Sequence, residues 1–261
     1  MEKHISNYLQ HPSAFVNAKA YAQMYQQSIT EPKLFWAEMA RDLLHWHKPW
    51  DEVLQGDFQQ LPVQWFSGAE LNACYNCVDR HLEKHAHKTA IFWEGDEYNQ
   101  SRSLSYEELH ANICRLANVL KQQGIKKGDV VCIYLPMIPE AIIAMLACSR
   151  IGAIHSVVFA GFSAQALKQR ILDSQSRLLI TADESQRGGK QFALIDNVYE
   201  ILAECPSVQA TIVVKHAKQQ IELKPNTFWY HDQINQVDVD CPITWMAATD
   251  PLFILYTSGS T

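Results

Sequence analysis

The stretch Asp129-Val130-Val131-Cys132-Ile133-Tyr134-Leu135, followed by Pro139 to Arg150 and then by Ala153 to Phe159, reads as strand, helix, strand. The two outer runs have few polar positions, so neither offers a face to water, and twelve residues of apolar helix separate them. Strands of that kind joined by a long crossover belong to a parallel sheet covered on both faces. Outward from this unit the alternation continues. Toward the N-terminus, Asn72 to His85 reads as a helix and Thr89 to Trp93 as a strand. Ser105 with Glu108 forms a capping box that opens a helix running to Gln123, and Gly124 stops it. Toward the C-terminus, Ser163 to Asp173 is a helix, Leu178 to Thr181 a strand, Phe192 to Glu204 a helix and Ala210 to Val214 a strand. Leu252 to Tyr256 closes the series. The fold class expected is α/β, a doubly wound and mostly parallel sheet with flanking helices.

Residues 1–67 follow another pattern and are expected to form a helical and irregular arm, with residues 68–261 as the first α/β portion of a larger domain. Ser13 to Ile29 and Glu31 to Leu44 have helical spacing. The stretch with Trp46, Pro49, Trp50, Pro62 and Trp65 reads as irregular.

The chain has 261 residues, 48% of them hydrophobic and 19% charged, the composition of a globular protein with a sizeable core. Its net charge of −6 disfavours nucleic acid as a global partner. The apolar run Ala141 to Cys148 falls well short of the roughly 18 residues of a membrane span. Seven cysteines, several inside apolar runs, read as free thiols, and the cytosol is the expected compartment.

Ligands of a doubly wound sheet bind beyond the C-terminal strand ends, and three such ends carry notable residues. Tyr256-Thr257-Ser258-Gly259-Ser260-Thr261 follows an apolar strand with small hydroxyl and glycyl residues, suited to a polyphosphate; the alternative is a plain terminal turn. Arg187-Gly188-Gly189-Lys190 places two cations around two glycines at an expected helix N-terminus, suited to a phosphate ester; the alternative is an exposed turn. Phe159-Ala160-Gly161-Phe162 follows the third strand. Cys74, Cys77, His81 and His85, with His87 just beyond, superficially suggest zinc, but their offsets of 3, 4 and 4 describe one stripe of a single helix, and four ligands on one stripe cannot surround a zinc ion. His155, in an apolar strand, reads as a core histidine, and no nucleophile elbow or dinucleotide fingerprint is present.

Taken together these residues resemble the acyl-adenylate-forming ligases, and among them the acetyl-CoA synthetases. The resemblance spans nearly the whole chain: Phe35-Trp36-Ala37-Glu38, Asn76 to His81, Ile91 to Asp96, Gly128 to Val131, Pro136 to Ala141, Ala147 to Phe159 and Tyr256 to Thr261. It implies the conversion of acetate, ATP and CoA to acetyl-CoA, AMP and pyrophosphate through acetyl-AMP, with Mg²⁺ accompanying the triphosphate. It implies that Arg187, Gly188, Gly189 and Lys190 hold the phosphorylated nucleotide end of CoA. Phe159, Ala160 and Gly161 would border its adenine; relatives often carry Gly where Ala160 stands. Thr257, Ser258, Gly259, Ser260 and Thr261 would embrace the ATP phosphates. The carboxylate pocket and the mobile C-terminal domain with its catalytic lysine would lie beyond residue 261. The expectation is therefore an N-terminal fragment with no catalytic or metal-binding residue of its own, inactive alone and completed by the remainder of the same polypeptide. Propionyl-CoA synthetase and a non-catalytic CoA- or nucleotide-binding module are the rival readings.

Overall fold

The computed structural model describes residues 16–57, 59–216 and 221–257. The chain divides into two units, Met1–Leu71 with Ala247–Thr249, and Asn72–Met246 with Asp250–Thr261.

In the first unit α1 (Ala18–Thr30) is capped by Asn17, whose side chain accepts from the Ala20 amide, and α2 (Pro32–Leu43) begins on a proline that needs no hydrogen-bond acceptor there. The stretch expected to be irregular contains an antiparallel ribbon, β1 (Glu52–Asp57) against β2 (Gln60–Ser67), pairing Leu54 with Trp65 and Gln55 with Gln64. Pro62 is tolerated because a strand of a two-stranded ribbon has an edge where no amide is required. Gly56, at φ 77°, sits in the register shift between Gln55 and Asp57. Rings rather than an aliphatic core brace the ribbon: Trp46 meets Trp50 at 5.1 Å, and Trp50 meets Phe66 at 5.1 Å. The short β3 (Glu70–Leu71) follows.

The second unit opens with a broken helix. The single helix expected over Asn72 to His85 is α3 (Ala73–Cys77), a 3-10 turn (Asp79–His81) and α4 (Leu82–His85). The chain leaves helical geometry at Val78, φ −130° and ψ −65°, and Asp79 thereby reaches Arg150 and His110. A hairpin of β4 (Thr89–Glu94) and β5 (Ser101–Ser105) leads into α5 (Tyr106–Gln122). The Ser105 hydroxyl accepts from the Glu108 amide, and the Glu108 carboxylate accepts from the Ser105 amide.

Six strands form the main sheet: β6 (Val130–Tyr134), β7 (Ile154–Val157), β8 (Leu178–Ala182), β11 (Ala210–Val214), β12 (Thr227–Trp229) and β14 (Phe253–Ile254), while β9 (Glu184–Arg187), β10 (Lys190–Ala193) and the short β13 (Met246–Ala247) are not part of it. All pairs are parallel, in the order β12-β11-β8-β6-β7-β14. The helices are α6 (Pro139–Ile151) between β6 and β7, α7 (Ala164–Ser174) between β7 and β8, α8 (Leu194–Ile201) between β8 and β11, and the short α9 (Tyr230–Ile234). From β6 the chain steps to β7, then back across β6 to β8 and onward to β11. With right-handed crossovers, that reversal sends α6 to one face and α7 and α8 to the other. The packing agrees, since α5 lies against α6 and α7 against α8. Strands β8 and β11 are buried along their length, and β6 beyond its first residue, which explains their apolar reading. The chain departs from β6 and β8 in opposite directions, so the crevice between their C-terminal ends is the topological switch point.

Candidate functional site

Three segments gather at the C-terminal ends of the strands. The first is the turn after β7. Its Phe162 amide donates to the Phe159 carbonyl at 3.0 Å, and the two rings meet edge to face at 5.7 Å. Both rings are about half exposed, and the Phe159 ring occupies the space a side chain at position 161 would need. A side chain at position 161 would therefore displace the Phe159 ring from its present place in this aromatic wall. Below it stands Tyr134, the last residue of β6. Its hydroxyl donates toward Phe162 O at 2.8 Å, has Ala160 O at 3.2 Å, and accepts from Asn197 Nδ2 at 3.0 Å.

The second segment corrects the sequence reading. Arg187-Gly188-Gly189-Lys190 does not open a helix; it closes a hairpin between β9 (Glu184–Arg187) and β10 (Lys190–Ala193), and α8 begins only at Leu194. Gly188 (φ 58°) and Gly189 (φ 73°) both adopt the left-handed conformation that a two-residue hairpin turn demands. Arg187 and Lys190 are cross-strand partners flanking this turn. Lys190 is exposed and has no ion-pair partner among the described residues. The base of the hairpin is fixed by buried Asp183, whose Oδ1 accepts from the amides of Glu184 (2.8 Å) and His216 (2.7 Å).

The third segment follows β14. The Tyr256 hydroxyl donates to Asp173 Oδ2 at 2.5 Å, and burial together with that carboxylate pushes its pKa up to about 12. The Arg170 guanidinium lies 5.2 Å from the Tyr256 ring and 4.6 Å from the Phe162 ring, so α7 ties the first segment to the third through cation–π contacts. Thr257 is exposed, while Ser258, Gly259, Ser260 and Thr261 lie outside the described residues.

Tyr134, Asn197, Arg170 and Asp173 carried no sequence motif. Tyr134 had one signal: a hydroxyl at the end of a buried strand must find partners. Other singled-out residues stand apart. His155 is buried on β7 against the Phe253 ring, and burial lowers its pKa to about 4. Cys74 is buried and Cys77 exposed, so the two thiols do not converge. Burial, with Asp79 adding to it, pushes the Cys74 thiol up to about 12. Among the described residues no group of three or more His, Cys, Asp and Glu could hold a metal ion, and no helix is long and apolar enough to cross a membrane.

A family model described as AMP-binding enzyme matches residues 78–261, and one described as acetyl-coenzyme A synthetase N-terminus matches residues 21–77. Acetyl-coenzyme A synthetase 2 of Pseudomonas aeruginosa is 51% identical over 249 residues, which are 95% of this chain and 39% of that protein. The acetyl-coenzyme A synthetase of Magnetococcus marinus is 51% identical over 250 residues, with the same shares. Among solved structures, acetoacetyl-CoA synthetase from Streptomyces lividans superposes with a TM-score of 0.85 at 25% identity, covering 98% of this chain and 39% of that one. The chain thus spans 39% of the length of these relatives. With one model covering residues 78–261, which include the whole parallel sheet, and the other adjoining it at residues 21–77, the chain belongs to the family of AMP-binding enzymes and carries an N-terminal segment of the acetyl-coenzyme A synthetase type.

Proposed function

We propose that this chain is part of an AMP-forming acetate–CoA ligase. The acetate carboxylate attacks the α-phosphorus of ATP, forming acetyl-AMP and releasing pyrophosphate. The CoA thiol then attacks the acetyl carbonyl, its proton is lost, and AMP departs. Mg²⁺ enters with ATP as part of that substrate. The observation that carries this reading is the 49–51% identity, over about 95% of the chain, to relatives named acetyl-coenzyme A synthetase.

Within that reaction the chain contributes binding rather than bond-making, and no catalytic residue is assigned to it. Arg187 and Lys190, with the turn amides of Gly188 and Gly189, receive the 3′-phosphate of CoA, and Phe159, Ala160 and Gly161 border its adenine. Thr257 to Thr261 take the ATP phosphates. Residues 1–67 serve as an arm and residues 68–261 as the first part of the adenylate-forming domain. Seven unpaired thiols favour the reducing cytosol, and the net charge of −6 argues against a nucleic-acid partner.

Calorimetric titration of this chain with CoA and with 3′-dephospho-CoA tests the binding role. Lys190→Ala should weaken CoA about tenfold and leave 3′-dephospho-CoA unchanged, as loss of one charge-assisted contact requires. Equal affinities for the two ligands in the wild type would remove the phosphate assignment. The chain alone should give no acetate-dependent exchange of pyrophosphate into ATP, and exchange would show that it is not merely a part. Acetate and propionate turnover by a protein that includes the remaining portion of the relatives' length separates the two acyl specificities.

A further inference from the structure

Tyr134 is wholly buried and ends β6 beside the switch-point crevice. A phenylalanine would fill the same space, so the strand itself has no use for the hydroxyl. All three partners of that hydroxyl lie in or next to the candidate segments. Ala160 O and Phe162 O belong to the aromatic wall, and one phenolic proton serves them at 3.2 and 2.8 Å. The lone pair receives Asn197 Nδ2 at 3.0 Å. Asn197 stands in the first turn of α8, directly after the hairpin, and the Ile195 amide of the same turn donates to Asp183 O at 3.2 Å at the hairpin's base. One buried oxygen therefore joins the wall to the element that carries Arg187 and Lys190.

We propose that Tyr134, through Asn197, is the positioning residue that sets the aromatic wall and the Arg187–Lys190 hairpin at one separation, so that the adenine and the phosphate ester of the same CoA nucleotide engage together. This rests on the CoA reading above and goes beyond it by assigning the coupling between the two halves of the pocket. A ligand that touches both halves gains from their fixed spacing, whereas one that touches only the wall does not. The advantage of CoA over 3′-dephospho-CoA is thus a readout of the coupling, which a loss of overall stability would not move.

The experiment compares the two ligands by calorimetry in the wild type, Tyr134→Phe, Asn197→Ala and the double variant, each confirmed folded by circular dichroism. Expected is an affinity for CoA about tenfold weaker in each single variant, the loss of a buried hydrogen bond. The preference for CoA over 3′-dephospho-CoA should fall with it, and the double variant should be no worse than either single one, because both remove the same link. Preference unchanged in both single variants, or additive losses in the double, would overturn the proposal. If Tyr134→Phe does not fold, Asn197→Ala carries the comparison. If the wild type binds neither ligand, the CoA reading fails and the link is decided by amide hydrogen exchange in residues 159–163 and 186–191. Faster exchange in both segments of Tyr134→Phe upholds the link, and wild-type rates in either abolish it.

Discussion

Arg150 Nη1 lies 2.8 Å from Oδ1 and 3.0 Å from Oδ2 of Asp79, joining the break after α3 to the last turn of α6. Its Nε also donates to Cys241 O at 2.6 Å. The two side chains are only 4% and 12% exposed, so each neutralises a charge that water does not reach. Removing one partner leaves the other uncompensated, which costs about 3–5 kcal/mol in buried pairs. Asp79→Asn should lower the free energy of urea unfolding by an amount in that range, and a loss below about 1 kcal/mol would show that solvent already screens the pair.

His110 completes the cluster from α5, its Nε2 at 3.3 Å from Asp79 Oδ1 and 3.6 Å from Cys114 Sγ. The hydrogen bond to Asp79 raises its pKa to about 9, against 6.5 unperturbed, with Cys114 adding to the shift. Burial pushes Asp79 up, yet the hydrogen bonds from His110 and Arg150 outweigh it and hold the carboxyl below its usual range. A raised pKa contributes stability in full below 6.5 and loses it as pH climbs through 9. Unfolding free energy should fall between those values, and His110→Gln should flatten that limb. A wild-type profile already flat from pH 6.5 to 9 would contradict the assignment.

His155 works in the opposite direction. Burial depresses its pKa to about 4, and its Nδ1 has no hydrogen-bond partner among the described residues. The unfolded chain therefore takes up a proton more readily, so stability is complete above pH 6.5 and declines as pH falls through that value toward 4. His155→Leu should remove this acid-side component. Carbon-bound imidazole protons of His155 that titrate near 6.5 in NMR spectra would contradict it.

The hairpin turn invites a backbone test. A Cβ at Gly188 or Gly189 meets nothing within 4 Å, so substitution there is resisted by the left-handed φ alone. Gly189→Ala should cost about 1–2 kcal/mol of hairpin stability and weaken CoA several-fold. Gly188→Asn should be nearly silent, since Asn-Gly suits the same turn. Equal effects of the two substitutions on CoA affinity would mean that turn geometry does not control the site.

What could be read in advance follows from where water is absent. Strands β6, β8 and β11 are buried on both faces, so they stand out as apolar runs, and the Ser105 capping box marks α5 by local chemistry alone. The ribbon of β1 and β2 stays hidden because β1 is mostly exposed, β2 is only half-buried, and Gly56 and Pro62 interrupt them. The Glu184–Ala193 hairpin lacks apolar alternation, and only its Gly-Gly pair signals a turn. Asn197 and Tyr134 are 63 residues apart and meet only through the order of the sheet strands, which no local pattern encodes.

Six of the seven cysteines are buried and one, Cys77, faces solvent. The native chain thus has a single address for a maleimide dye, fixed at the last residue of α3 without engineering. The other six form a reserve that becomes chemically countable only when the structure opens. Titrating labels per molecule against denaturant would turn the thiol inventory into a molecular counter of opening, with the exposed thiol as its zero mark.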